Sequence, residues 1–128
     1  MNHGQILVLL ESPYGSKDDA VVEANVEFAR ACARDCFMRG EYPFPSHILY
    51  TQKGILDDRI PEERAMGIAA GLAWGSYAAK TVVYLDRGMS SGMKLGITRA
   101  KEENRPIEYR YLNEDNDTGQ DPESVWGV

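Results

Sequence analysis

The chain has 128 residues, 43% of them hydrophobic and 27% charged, which is enough apolar material for one core and too little length for a second sizeable domain. Its net charge is −6, and five of its acids, Glu114, Asp115, Asp117, Asp121 and Glu123, fall in the stretch from Leu112 to Val128, which has no Lys or Arg. The body is therefore close to neutral, without the clustered basic face that a nucleic-acid binder uses to displace counterions, and no apolar run approaches the roughly 20 residues that span a bilayer.

The first element is Gln5 to Leu10, Gln-Ile-Leu-Val-Leu-Leu, a short continuous apolar run of the kind found in a parallel strand covered on both faces. It reads as the central strand. Glu11 to Asp19 follows, rich in turn formers. Then Val22, Val26, Ala29, Ala33, Cys36 and Phe37 recur at helical spacing until Gly40 ends the pattern. Cys32 and Cys36, the only cysteines, stand one turn apart and suit a packed thiol pair better than a disulfide. With His3 and His47 as the only histidines, no metal site and no cofactor is expected.

Tyr42-Pro-Phe-Pro45 is predicted to be extended, because each proline pushes its predecessor out of the helical region, and His47 to Tyr50 continues it as strand or loop. Pro61 to Ala79 reads as a helix, with proline at a first helical position, Glu62 and Glu63 in the first turn, and an Ala/Gly-rich body. Trp74 and Tyr77 within it read as core or subunit contact. A strand over Thr81 to Leu85, a helix over Ser91 to Asn104 and a strand over Ile107 to Tyr111 complete a domain of residues 1–112. An acidic tail, 113–128, is expected to be disordered or laid over a neighbouring subunit by Val125 and Trp126. No basic, apolar leader opens the chain, so a cytoplasmic location is expected.

Strands alternating with helices imply an α/β fold, a mostly parallel four- to five-stranded sheet with helices on both faces. In such sheets ligands sit beyond the carboxyl ends of the strands. Three loops lie there, over 11–19, 46–58 and 86–92. The last is the most informative: Asp86 is delivered by a strand end, Gly88 and Gly92 let the backbone approach a small molecule, and Ser90 or Ser91 caps the next helix. Bare N–H groups at that helix start suit ribose oxygens or phosphate.

Ser12-Pro-Tyr-Gly15 after the first strand, Asn25 in the first helix, Gly40, Pro45-Ser-His47, the pair Glu63-Arg64, and Asp86 followed by Ser91-Gly-Met-Lys-Leu-Gly96 together resemble the nucleoside 2-deoxyribosyltransferase superfamily. The closer likeness is to its small phage and bacterial members of uncharacterised function, and it spans Ile6 to Leu112. The resemblance implies a flavodoxin-like Rossmannoid three-layer sandwich, a nucleoside or nucleotide ligand, and a homodimer or larger homo-oligomer whose subunits complete each other's sites. If the chain is phage-encoded, the location becomes the host cytoplasm. In the transferases the last helix opens on a Gly-Met-Glu-Leu-Gly type sequence whose glutamate attacks the anomeric carbon. Lys94 stands at that position here, and an ammonium opposes the positive charge of an oxocarbenium-like transition state.

Other groups must then carry chemistry on an N-glycosidic bond. Asp86 is the first candidate, for ribose or for the nucleophile's place, against a role as loop cap. Glu11 is a general acid or base, or the structural partner of an arginine. His47 is an acid/base or binds a base edge, or is a satisfied structural residue. Tyr14 stacks on a nucleobase or anchors its loop. Ser12 and Gly15 offer hydroxyl and N–H groups, or only start a turn. Asp57, with Asp58, lies in a covering loop or is simply solvated. Arg64 reaches a phosphate or pairs with an acid on its own helix. Gly88, Ser90, Ser91, Gly92, Met93 and Lys94 form the ligand-facing loop and first turn, with Lys94 holding an anionic group or turned to solvent. The alternative to an enzyme is a non-catalytic protein that binds or sequesters a nucleotide-like molecule.

Overall fold

The computed structural model describes residues 5–124. Strand β1 (Ile6–Glu11) leads through helix α1 (Asp19–Met38) to β2 (Glu41–Phe44); a short helix α2 (Ser46–Leu49) and helix α3 (Pro61–Gly75) lead to β3 (Lys80–Tyr84), and helix α4 (Ser91–Glu102) to β4 (Ile107–Arg110). A single 3-10 turn, Glu114–Asn116, follows. The four strands form one all-parallel sheet in the order β2-β1-β3-β4. The architecture is the expected three-layer α/β fold, with four strands.

Alternation along the strands divides the core. Val8, Leu10, Val82 and Tyr84 point to one face and pack on Cys32 and Cys36 of α1. Leu9 and Val83 point to the other, where Leu9 meets Gly75 of α3, and Val83 packs with Leu85, Met93 and Ile97 of the α4 segment. Both cysteines are buried and free. Gly67, Gly71 and Gly75 recur every fourth residue on the inner side of α3. A Cβ on Gly75 would come within 2.7 Å of Leu9, and one on Gly71 within 3.0 Å of the Ser46 Cβ, so the missing side chains let α3 settle against the sheet and α2.

Several element bounds differ from expectation. The segment predicted to be extended supplies the second strand, Glu41–Phe44, an edge strand where Pro43 is tolerated for want of a second neighbour. His47 to Tyr50 is not strand or loop: Pro45 and Ser46 start a helical turn instead. The predicted Pro61–Ala79 helix ends at Gly75. The tail as far as Ser124 lies on its own domain: Asp86 accepts hydrogen bonds from the N–H groups of Leu112 and Asn113 and from the Asn116 amide, and Glu123 pairs with Lys101. Val125 and Trp126 lie outside the described residues. No helix among the described residues is long and apolar enough to cross a membrane.

A buried ionic network crosses the α1 face of the sheet. Arg110 on β4 donates twice to Glu41 on β2, at 2.8 and 2.6 Å, and once to the Tyr84 hydroxyl at 3.0 Å. Lys80 joins Glu41 to Glu108, and Tyr84 donates to Asp35. The bonded cations hold both Glu41 and Glu108 below the usual carboxylate range, Glu108 at about 2.

Candidate functional site

The chain turns from β1 leftward to β2 and then jumps to β3 on β1's other side, so the crevice where ligands bind in such sheets opens between the carboxyl ends of β1 and β3. A cavity of about 770 Å³ lies there, walled by the loop after β1, by α2, by α3 and by the start of α4. That volume suits a nucleotide-sized ligand.

Asn25, buried on α1, ties the two strand-end loops together. Its amide donates to the Tyr14 carbonyl at 2.9 Å, and its oxygen accepts from Arg87 Nε at 2.7 Å. At the third wall, Ser90 caps α4 by accepting from the Met93 N–H at 3.2 Å, while the Met93 sulfur accepts from the Ser90 N–H. The N–H groups of Ser91 and Gly92 belong to the first helical turn beside the cavity, and Arg64 approaches Gly92.

Of the expected site residues, Glu11, Ser12, Tyr14, Gly15, His47, Arg64, Ser90, Ser91, Gly92 and Met93 line this cavity. Four do not. Asp86 is engaged by its three donors from 112–116 and holds the tail in place, the cap role weighed against ligand binding in the sequence. Lys94 is exposed and off the cavity wall. Gly88 takes φ +89° in a turn closed by its own N–H onto Leu85. Asp57 lines a neighbouring hollow of about 480 Å³ and caps its own turn by accepting from the Arg59 N–H.

The carboxyl of Glu11 is the most unusual group in the cavity. It lies against α4 at Gly96, where any Cβ would overlap it, 2.6 Å from Cδ. No hydrogen-bond or ion-pair partner reaches it among the described residues. Burial pushes its pKa up to about 8, partly offset by the Arg105 guanidinium, so it is mostly protonated at pH 7. Ser12 Oγ stands 2.7 Å from His47 Nε2. Burial lowers His47 to about 4, which keeps the imidazole neutral at pH 7. Asp58 faces the same cavity with Arg64 Nε at 3.8 Å; burial raises its pKa against the pull of that arginine.

The chain belongs to the family described as domain of unknown function DUF7768. Its profile matches residues 6–110, the whole span from β1 to β4. The cavity walls all fall inside the DUF7768 domain, and the tail lies beyond it. No curated protein and no solved structure matches the chain.

Ser46, Tyr50, Thr51, Gly67 and Gly71 also line the site and were not picked out as site residues from the sequence. The glycines carried a signal, the four-residue spacing in α3. The other three depend on α2 being helical, which Pro45 and the short length of the element disguise.

Proposed function

We propose that the protein binds a nucleoside or nucleotide in this cavity and cleaves its N-glycosidic bond, by hydrolysis or by transfer of the sugar. The reading is carried by Glu11, an unpartnered, protonated carboxyl on the wall of a nucleotide-sized cavity at the β1/β3 crevice. Two carboxyl groups in unlike environments suit the two halves of such a reaction. Glu11 gives its proton to the departing base as the carbon–nitrogen bond breaks, and the bond's electron pair stays on the base. Asp58, held beside Arg64, faces the sugar's developing positive charge and takes the proton of the attacking water, or of an acceptor hydroxyl in transfer. Tyr14 supplies a ring for the base, and His47 with Ser12 a neutral hydrogen-bonding pair. The likeness of the Ser12–Gly15 and Ser91–Gly96 segments to the deoxyribosyltransferase superfamily supports this class of bond.

A second reading, reversible binding without turnover, is favoured by one observation: Lys94, at the position of the superfamily's glutamate, is exposed and does not line the cavity. Incubation with nucleosides and with nucleoside monophosphates, followed by chromatography, separates the two. Released base supports cleavage; calorimetric binding with the ligand recovered intact supports the second reading.

A further inference from the structure

Helix α3 is apolar on the wrong side. From Ala65 to Gly75 it contains no polar side chain, and its inner face toward the sheet and α2 is made largely of glycine. Ile68 and Leu72 turn to the cavity, but three large side chains face outward: Met66 is 54% exposed, Trp74 55%, and Tyr77 just beyond the helix 80%, with Ala65, Ala69 and Ala73 exposed alongside them. A helix on the surface of a lone domain carries its polar residues there.

We infer that the outward face of α3 is a self-association surface whose occupant is a second copy of this chain, packed α3 against α3 across a twofold axis. The inference is independent of the proposed chemistry. Three features select this occupant. Nothing between Ala65 and Ala79 is charged, so two chains of net charge −6 meet there without opposing like charges. Against an anionic membrane the same net charge is repulsive, and the face lacks the Lys/Arg flank of an interfacial helix. The pattern is also self-complementary. With the crossing at Ala69, an antiparallel pair sets Met66 of each copy into the gap beside the other's Ala73, large against small, with opposed helix dipoles.

The area is adequate. Trp74 and Tyr77 alone expose on the order of 250 Å². With Met66 and the three alanines the face reaches on the order of 500 Å² per copy, near the lower end of what specific interfaces bury per partner. Trp74 also couples the face to the cavity: its ring lies 5.1 Å from Phe44, and its Nε1 donates at 2.7 Å to the hydroxyl of Tyr50, a cavity residue.

Sedimentation velocity with light scattering on the full chain tests this. A species of twice the chain mass over the micromolar range is expected; a monomer throughout overturns the inference. Ala69→Glu places two unpaired acids at the crossing and should weaken association by about 100-fold or more with an unchanged far-UV spectrum, whereas Thr98→Glu on the exposed side of α4 should not. A dimer indifferent to Ala69→Glu overturns the proposed face. Should Ala69→Glu fail to fold, Ala69→Cys decides: a short bis-maleimide should link two copies through position 69 and not through Thr98→Cys, and absence of the link at 69 is equally fatal.

Discussion

The carboxyl of Glu11 occupies the volume that a side chain at Gly96 would fill. Glycine at 96 is therefore set by the acid on β1, not by backbone conformation, since Gly96 is in the middle of α4 where glycine weakens a helix. Gly96→Ala forces the carboxyl aside. We expect base release, or ligand affinity, to fall at least tenfold and stability to drop by about 1–3 kcal/mol through overpacking. In a Glu11→Ala background the same substitution should cost far less, because the clash is gone; urea unfolding of the four proteins in that double-mutant cycle checks it.

Glu11 itself opposes stability at neutral pH. Its folded pKa, about 8, lies above its ordinary value of 4.5, so the folded protein binds the extra proton. The sign follows: the stabilising contribution of Glu11 is fully present below pH 4.5 and declines as pH rises toward 8. Glu11→Gln keeps the shape without the ionisation, and it should stabilise the protein at pH 8 by about 1–3 kcal/mol while abolishing base release. Unfolding curves at pH 5 and pH 8 are the measurement. A mutant no more stable than the parent at pH 8 rejects the burial argument.

The same ionisation predicts the pH profile of turnover. With Glu11 as the proton donor, kcat/KM falls on the alkaline side with an apparent pKa of about 8. His47, held neutral down to about 4, contributes no inflection between pH 5 and 7. In Glu11→Gln any residual rate should lose the alkaline limb. A limb near 6.5 that disappears in His47→Gln would instead assign the proton transfer to the histidine.

Asn25 gives a prediction about organisation rather than chemistry. Its amide bridges the Tyr14 carbonyl and Arg87, and so sets the spacing of the two loops that flank the crevice. Asn25→Ala leaves a part-buried carbonyl without its donor, at a cost of about 1 kcal/mol. Hydrogen exchange should quicken in both 12–17 and 86–90, on either side of the cavity, while β4 keeps its protection. Quickening in one loop alone would mean that the bridge does not couple them.

How much of this was legible follows from how local each signal is. β1 and β3 are continuous apolar strands, and their parallel pairing with trailing loops at one crevice follows from alternation with helices. The second strand was harder, because Pro43 sits inside it and only an edge position makes that tolerable. Asp86 read as a site residue because a strand end usually presents one; its capture by the backbone of 112–113 depends on a tail whose composition suggested disorder. Glu11 could be named, but behind Asp86. The space that makes it special comes from Gly96 on α4, and no local pattern joins the two.

The ionic network under α1 tests which part of the fold depends on charge. Arg110 and Glu41 sit on the two edge strands and meet across β1 and β3, both nearly inaccessible to solvent, with two hydrogen bonds between them. Removing Arg110 strips buried Glu41 of its two-bond partner and leaves it only Lys80, so Arg110→Met should cost about 2–3 kcal/mol, less than for a buried charge left wholly alone. The double replacement Arg110→Met with Glu41→Leu should recover much of that loss, although Lys80 then keeps only Glu108. Because the folded protein holds Glu41 and Glu108 below their ordinary value of 4.5, their contribution is present above that pH and is lost as pH falls through the depressed values, reaching about 2 for Glu108. Arg110→Met should therefore flatten the loss of stability between pH 4.5 and 2 measured by denaturant titration. A mutant that is destabilised yet retains the full acid slope would place the stabilising charge elsewhere.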